Sequence, residues 1–167
     1  MCKMEGNMKF IKSLIPYIII IVVVVFIRTF IITPVKVNGT SMYPTLEGDE
    51  IMLLNKLGEI DRFDIVVLKL DGENDNLIKR IIGLPGETVE IYDNQIYIND
   101  ELLEDPYGYG VTYNIDPVTL DDDEYFILGD NRIVSLDSRV FGKINRSEIK
   151  GTTNFIMYPF SKIGKVE

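Results

Sequence analysis

The stretch "TVEIYDNQIYIND", from Thr88 to Asp100, indicates the fold most directly. Two short runs of apolar and aromatic residues flank a polar turn made of Asp93, Asn94 and Gln95. Runs of this length around a short polar turn are typical of a β-hairpin. The stretch therefore predicts two neighbouring antiparallel strands.

Most of the chain after its N-terminal part repeats this alternation of short apolar runs and turns. Further strands are predicted by "EIMLLNKL" (50–57), "FDIVVLKL" (63–70), "NLIKRIIGLPGE" (76–87), "EYFILGD" (124–130) and "TTNFIMYPF" (152–160). Between about Glu101 and Glu124 the pattern weakens into Gly, Pro, Tyr and acidic residues. We interpret this part as an elaborated loop or a small cap, and place the hairpin and cap insertion at approximately 92–125. The sequence thus predicts a mostly β, antiparallel fold with a small inserted cap.

A long apolar run precedes the β region. It reads "LIPYIIIIVVVVF" from Leu14 to Phe26 and continues to Ile32 with one charge, at Arg28. About 20 residues suffice for a helix to span a bilayer, so we expect a transmembrane anchor at 14–32. The run has no polar face, which disfavours a buried helix of a soluble domain. The chain has no alanine for an Ala-x-Ala cleavage site, which disfavours a cleaved signal peptide.

Basic residues flank one end of this run. Lys3, Lys9 and Lys12 precede it, and the positive-inside rule then places residues 1–13 in the cytoplasm. The remaining domain, 33–167, would lie on the outer side of the cytoplasmic membrane. We therefore expect a single-pass protein of the cell membrane.

The composition excludes several kinds of site. The formal net charge is -9, and because Met1–Thr33 contributes about +3, about -12 falls on the rest. Such an acidic domain is a poor partner for nucleic acid. With a single cysteine, Cys2, and no histidine, neither an internal disulfide nor a Cys/His zinc cluster can form. No loop has the spacing of a carboxylate calcium site, so we expect neither a metal nor a cofactor.

A candidate nucleophile lies in "VNGTSMYPTL", from Val37 to Leu46. Ser41 follows Gly39, which permits an unusual backbone angle or a close approach. A Pro-Thr pair stiffens the chain after it. Because the chain has no histidine, the remaining base for a serine nucleophile is a lysine. A structural turn or cap residue is the alternative interpretation of Ser41.

A lysine acts as a base near neutral pH only if burial or neighbouring cations lower its pKa. Lys79 lies among branched aliphatic residues in "LIKRII" and, within a strand, points to the face opposite Arg80. Lys69, in "VVLKL", is the closest rival, but a polar turn follows it. Because Lys79 also fits an exposed edge-strand lysine, the residues alone leave the identity of the base open.

A dense polar stretch, "GDNRIVSLDSR", runs from Gly129 to Arg139. Its hydroxyls and charges are suited to orienting a buried amine, as the third group of a catalytic triad orients the base. The alternative is a polar surface loop with a local pair between Asp137 and Arg139.

Together, "GTSMYPTL", "IKRIIGLPGE" and "GDNRIVSLDSR", in this order after one N-terminal anchor, resemble the motifs of bacterial type I signal peptidase in its short, Gram-positive form. The resemblance extends over nearly the whole chain. It implies a membrane-anchored serine endopeptidase with a Ser-Lys dyad, which removes signal peptides from exported preproteins. It also implies an antiparallel β fold with a small cap, and contacts with preproteins, the lipid of the cytoplasmic membrane and the secretion translocon.

The resemblance also implies residue roles. Ser41 would be the nucleophile, Lys79 the general base, and the backbone at Ser41 and Gly39 the oxyanion site. The residues that would orient the lysine and support the site are Ser135, Asp130, Asp137, Arg139 and Arg80. The residues that would bind an extended substrate, with small side chains before the cut, are Val35, Val37, Met42, Leu46, Leu77 and Ile78.

Two positions depart from the family pattern, and three other functions stay open. Gly39 stands where some members have a serine that helps bind the oxyanion, and Ile133-Val134 stand where polar residues are common. The alternatives are a soluble self-cleaving Ser-Lys repressor, a peptidase dedicated to one narrow substrate, and a non-catalytic anchored β domain that only binds partners. The apolar run and the acidic domain disfavour the repressor, which would need a DNA-binding domain.

Overall fold

The computed structural model describes residues 2–70 and 75–166, with side chains from residue 13 onward. The helices are α1 (Cys2–Phe30) and α2 (Ser138–Phe141), and short 3₁₀ turns span Arg146–Glu148 and Phe160–Lys162. The strands are β1 (Ile32–Lys36), β2 (Ile51–Asn55), β3 (Ile65–Leu68), β4 (Leu77–Gly83), β5 (Thr88–Tyr92), β6 (Gln95–Ile98), β7 (Glu101–Leu103), β8 (Ile115–Thr119), β9 (Glu124–Leu128), β10 (Ile144–Asn145), β11 (Ile149–Tyr158) and β12 (Gly164–Lys165). The side chains of the predicted basic flank, Lys3, Lys9 and Lys12, lie outside the described residues, as does most of the polar turn expected after Lys69.

Helix α1 is long and apolar enough to cross a membrane. Its stretch Ser13–Phe30 has a mean hydropathy of 2.5 and is not buried against the rest of the protein. At 1.5 Å per residue, its 29 residues measure about 44 Å. The helix ends at Phe30, and Ile32 already belongs to β1.

The end of α1 is bonded directly to the β region. The backbone N–H of Lys56 donates to the Ile31 carbonyl at 3.0 Å, and its ammonium donates to the Thr29 carbonyl at 2.8 Å. The Thr33 hydroxyl donates to the Arg28 carbonyl at 2.7 Å. The last carbonyls of a helix have no partner within it, so these bonds both cap α1 and fix it to the sheet.

The main sheet is antiparallel and has the order β1-β2-β11-β3-β4-β9-β10, with β12 beside β11. This confirms the mostly β, antiparallel fold that the sequence predicts. Strand β4 is central, and six of its seven residues are buried, because the sheet is covered on both faces. One buried cluster includes Val35, Val37, Met42, Leu46 and Ile78; another, with Leu77 at its margin, includes Val66, Ile81 and Ile127.

A second sheet, with the order β7-β6-β5-β8, forms the inserted part. Its centre is the predicted hairpin, in which β5 pairs with β6 from Val89 opposite Ile98 to Tyr92 opposite Gln95. The turn residues Asp93 and Asn94 have φ values of 47° and 63°, as a tight hairpin turn requires. The weakly patterned part after Glu101 contains β7 and β8.

Candidate active site

The two candidate catalytic side chains meet in the structure. Ser41 lies in the turn between β1 and β2, and Lys79 lies within β4. The Lys79 ammonium donates to the Ser41 hydroxyl at 2.9 Å and to the Ile78 carbonyl at 3.0 Å. Lys79 is 2% exposed, so it is not the exposed edge lysine of the alternative interpretation. Ser41 is only half-buried, so part of this residue is exposed to solvent.

Burial sets the protonation of Lys79. Burial lowers the pKa of this lysine from 10.5 to about 8, against the charges of Asp137 and Asp130, which raise it. With a pKa of about 8, roughly a tenth of the amines are neutral at pH 7. A fraction of Lys79 is therefore a neutral amine at neutral pH, and a lysine that activates a serine must be neutral to take its proton.

The start of the third motif, Gly129–Arg139, lies against the turn that carries the candidate nucleophile Ser41, which we call the nucleophile turn. The backbone N–H of Asn131 donates to the Ser41 carbonyl at 3.0 Å, and its side-chain amide donates to the Thr40 carbonyl at 3.2 Å. A Cβ atom at position 129 would lie 2.5 Å from the Ser41 carbonyl oxygen. Only glycine fits at Gly129, and its lack of a side chain lets the two loops touch.

The expected pair between Asp137 and Arg139 is formed and buried. The Arg139 Nε and Nη2 atoms donate to the two Asp137 carboxylate oxygens at 2.8 Å and 2.9 Å, and both side chains are at most 1% exposed. Asp137 also accepts the backbone N–H of Gly129 at 3.0 Å. The pair therefore holds Gly129 in the position that contacts Ser41.

A second buried pair joins β4 to the same loop. Arg80 Nε and Nη2 donate to Asp130 Oδ1 and Oδ2 at 2.8 Å and 2.6 Å. The Thr45 hydroxyl donates to Asp130 Oδ2 at 2.5 Å. Thr45 lies four residues after Ser41 in the nucleophile turn, so Asp130 contacts this turn through Thr45. Lys79 and Arg80 point to opposite faces of β4, as strand geometry predicts, and both are buried.

Ser135 does not make the hydrogen bond that the resemblance implies. Its hydroxyl is buried and has no hydrogen-bond partner among the described residues, and Lys79 contacts Ser41 and Ile78 instead. The hydroxyl lies close to Gly129, where an added Cβ would be 2.2 Å from it. A buried hydroxyl without a partner costs about 1–3 kcal/mol, and such groups in native structures call for an explanation.

The apolar residues expected to bind substrate do not all lie together. Five of them, Val35, Val37, Met42, Leu46 and Ile78, belong to one buried cluster under the nucleophile turn. The Leu77 side chain packs with the cluster on the other side of β4, because neighbouring strand residues point to opposite faces. The structure therefore separates the Leu77 side chain from the other five.

The residues just before Lys79 have a free backbone edge. Strand β9 pairs with β4 only from Arg80 to Gly83, whereas β3 pairs with β4 from Leu77 to Arg80. On the β9 side, no strand of the described residues pairs with Leu77–Lys79. Strand β1, which leads to Ser41, ends the order of the main sheet. Two strand edges are thus open beside the two candidate catalytic residues.

Glu50 shapes the turn that supports Gly39, and no sequence pattern points to this role. Its carboxylate accepts the backbone N–H groups of Glu47, Gly48 and Asp49 at 2.9–3.1 Å. Burial raises its pKa, but these bonds and one from the Lys162 ammonium outweigh that effect and lower the pKa to about 2. A Cβ at Gly48 would lie 2.6 Å from the Gly39 carbonyl oxygen, so the Glu50 turn packs directly beneath the backbone before Ser41.

Thr45 and Asn131 were also missed, although both lie inside quoted motifs. Their contacts with Asp130 and Ser41 join motifs more than 80 residues apart, which sequence spacing does not reveal. Among the described residues, no group of three or more Asp, Glu, Cys or His side chains is arranged to hold a metal ion.

A serine hydroxyl bonded to a buried lysine is the arrangement expected in the class of Ser-Lys hydrolases. Residues 8–158 match the family model described as signal peptidase, peptidase S26. The chain is 41% identical over 165 residues to signal peptidase I S of Bacillus subtilis (strain 168), covering 89% of each chain. It is 31% identical over 202 residues to signal peptidase I of Streptococcus pneumoniae serotype 4, covering 96% of this chain and 99% of the relative.

The fold gives the same result. A crystal structure of a signal peptidase I from Enterococcus faecalis V583 matches with a TM-score of 0.52 at 32% identity, over 57% of this chain and 97% of that one. The chain therefore belongs to the peptidase S26 family of signal peptidases. It is a serine peptidase that cleaves signal peptides, so its substrates are preproteins that carry them. These matches confirm the resemblance, and α1 fits a membrane-anchored protein.

Proposed function

We propose that Ser41 and Lys79 form the catalytic dyad of a membrane-anchored signal peptide endopeptidase. The observation that carries this assignment is the 2.9 Å hydrogen bond from the Lys79 ammonium to the Ser41 hydroxyl. Lys79 is buried, and its pKa is lowered to about 8. The chain has no histidine that could serve as the base instead.

The chemistry is that of an activated serine. Neutral Lys79 takes the hydroxyl proton as Ser41 Oγ attacks the carbonyl carbon of the scissile peptide bond. The lysinium returns this proton to the leaving amine, and the C–N bond breaks to leave an acyl-enzyme. Lys79, neutral again, takes a proton from water as the water oxygen attacks the ester carbonyl carbon. The lysinium then gives this proton to Ser41 Oγ as the ester C–O bond breaks, which releases the new carboxylic acid and restores the Ser41 hydroxyl and neutral Lys79.

The supporting groups act on these two side chains. We assign the oxyanion site to the backbone around Ser41 and Gly39, because donors fixed in the backbone need no reorganisation as charge develops. The Asp130–Arg80 and Asp137–Arg139 pairs hold the loop that contacts Ser41. Ser135 makes no bond to Lys79 in the structure, but its buried hydroxyl is unpartnered and so stays available to orient Lys79, as the resemblance implies.

The substrate pairs as an extended strand with the two open edges. A peptide that adds to a sheet edge gains backbone hydrogen bonds and presents alternate side chains to pockets. The edges lie at Val35–Val37 and at Leu77–Ile78, and the apolar cluster below them includes Met42 and Leu46. Small side chains at the first and third positions before the cut suit such shallow apolar sites.

The anchor places the peptidase where its substrates are held. We propose that residues 14–32 span the cytoplasmic membrane, with residues 1–13 on the cytoplasmic side and residues 33–167, including the cap, on the outer side. The basic residues before the apolar run support this topology. Membrane lipid and the secretion translocon are then its neighbours, and confinement to one surface raises the effective concentration of the substrate.

A cleavage assay with matched lysine variants tests the dyad. The full chain in detergent is mixed with a precursor carrying an Ala-x-Ala signal peptide, and mass spectrometry identifies the new N-terminus. We expect wild type and Lys69→Ala to cut after the second alanine, and Lys79→Ala and Ser41→Ala to leave the precursor intact. Equal cleavage by wild type and Lys79→Ala would remove Lys79 as the base, and loss of cleavage in Lys69→Ala would point to the rival lysine.

A further inference from the structure

A short segment of the insertion reaches back to the active-site loop. We call Asp105–Gly110 the tyrosine strap; it lies between β7 and β8, where the sequence pattern is weakest. The backbone N–H of Tyr109 donates to the Asp130 carbonyl at 2.7 Å, and that of Arg132 donates to the Tyr109 carbonyl at 2.9 Å. The strap is therefore paired with the loop that contacts Ser41.

Tyr107 of the strap covers the Arg80 guanidinium. The guanidinium carbon lies 3.6 Å from the centre of the Tyr107 ring, which is the geometry of a cation–π contact. Arg80 is 3% exposed. An open cleft lies beside the ring, lined by Arg62, Asp64 and Tyr107 among others. Arg80 lines the same cleft, so the ring covers one face of a guanidinium that borders open space.

Asp105 of the strap binds the same loop at Arg132. Its carboxylate forms an ion pair with Arg132 in which both side chains are at most 9% exposed. Arg132 Nε donates in turn to the Gly129 carbonyl at 3.0 Å. Gly129 is the residue whose missing side chain lets the loop touch Ser41. The strap thus contacts the loop through an ion pair and two backbone hydrogen bonds, and it contacts Arg80 of β4 through a ring.

We propose that Tyr107 and Asp105 are positioning residues for the Ser41–Lys79 pair, acting through Arg80 and Arg132. The inference rests on the proposed dyad and adds residues that no motif of the chain contains. Neither residue bonds to Ser41 or Lys79 in the structure. Their effect passes through Asp130 and Gly129, which hold the nucleophile turn in place.

The strap also controls the charges that face Lys79. Two carboxylates, Asp130 and Asp137, act on its ammonium, and each is paired with an arginine, Arg80 and Arg139 respectively. Without the Tyr107 ring, water from the cleft also reaches the face of the Arg80 guanidinium that the ring covers, and weakens its pairing with Asp130. Asp130 then attracts the Lys79 ammonium more strongly, so the pKa of Lys79 rises and less of the neutral base is present at pH 7.

The test compares two substitutions of the same ring. Tyr107→Leu removes the aromatic face, whereas Tyr107→Phe keeps it and removes only the hydroxyl. Tyr92→Leu, on an exposed tyrosine of the second sheet, controls for loss of a tyrosine in the insertion. For the full chain in detergent, kcat and KM for a soluble signal-peptide substrate are measured from pH 6 to pH 10.

We expect Tyr107→Leu to lower kcat at pH 7 by roughly tenfold and to move the acid limb of the profile up by about one pH unit, because one pH unit is a tenfold change in the neutral fraction. KM should stay within about twofold, and Tyr107→Phe and Tyr92→Leu should follow wild type. Asp105→Asn should lower kcat through the Arg132 contact, with a similarly small change in KM.

Three results would overturn the inference. They are a Tyr107→Leu profile that superimposes on that of wild type, equal damage by Tyr107→Phe, and a loss that appears only in KM. Thermal melting of each variant shows whether a low kcat comes from a folded protein; if Tyr107→Leu is unfolded, Asp105→Asn with its kcat and KM decides the question. Failure of the dyad itself appears differently, as activity that persists in Lys79→Ala.

Discussion

The protonation of Lys79 predicts how the rate depends on pH. Burial lowers the pKa of this lysine from 10.5 to about 8, a difference of roughly 3 kcal/mol. At pH 7 about one lysine in ten is then neutral, against about one in 3,000 for an exposed lysine. The active site thus raises the concentration of the base roughly 300-fold at this pH.

We therefore expect kcat/KM to rise about tenfold per pH unit below pH 8 and to level off above it. The assay follows cleavage of a soluble peptide by the full chain in detergent, from pH 6 to pH 10, with a peptide that has no group titrating in this range. Lys79→Arg, which keeps the positive charge but cannot become neutral, should have no measurable activity. A rate that still rises about tenfold per pH unit between pH 8 and pH 10, as for an unshifted lysine, or a rate independent of pH, would refute the assignment of Lys79 as a buried base.

Three further changes test the surroundings of the dyad. Gly129→Ala places a Cβ 2.5 Å from the Ser41 carbonyl oxygen, and kcat should fall by more than tenfold. Gly86→Ala is the matched control: its φ of 80° strains an alanine, but its Cβ meets no atom within 4 Å, so it should lose stability and keep its rate. Glu50 has a pKa lowered to about 2, so its stabilising effect is complete above about pH 4.5 and lost as the pH falls through 2. It amounts to about 3 kcal/mol, and Glu50→Gln should unfold more easily at pH 7 while losing less on acidification, as followed by circular dichroism. Lys56→Met removes the ammonium that caps α1 and should slow cleavage of a precursor embedded in vesicles more than that of a soluble peptide; an equal effect on both substrates would contradict a role in fixing the anchor.

The sequence predicts the strands better than it predicts the insertion. The hairpin at 88–100 has a turn between two apolar runs, and both of its strands form where the pattern places them. Strands β7 and β8 gave little signal because they form the edges of the second sheet and are mostly exposed. Edge strands tolerate polar residues and proline, as at Pro117 in β8, so their composition resembles that of a loop.

Some contacts of the candidate site were likewise predictable from the sequence, and others were not. The motifs identify Ser41 and Lys79. Because successive side chains of a strand point to opposite faces, the sequence also predicts that Lys79 and Arg80 face apart. The same rule would have separated Leu77 from Ile78, which were expected to act together. No pattern predicts the contact of Tyr107 with Arg80, because it joins a loop to a central strand and depends on tertiary packing alone.

The free edge of β1 offers few hydrogen bonds. The backbone N–H of Val37 donates to the Glu50 carbonyl at 2.8 Å, so the backbone polar groups of this residue point toward β2. The backbone groups of alternate residues along the strand then point away from β2, to the free edge. The outward-facing residues of β1 just before it are Pro34 and Lys36, and Pro34 has no N–H to donate. A short extended peptide can use the Lys36 N–H and the two outward carbonyls. A long strand from a second copy of the chain meets a missing donor at Pro34, so the edge beside Ser41 discourages self-association while it stays open to a passing substrate.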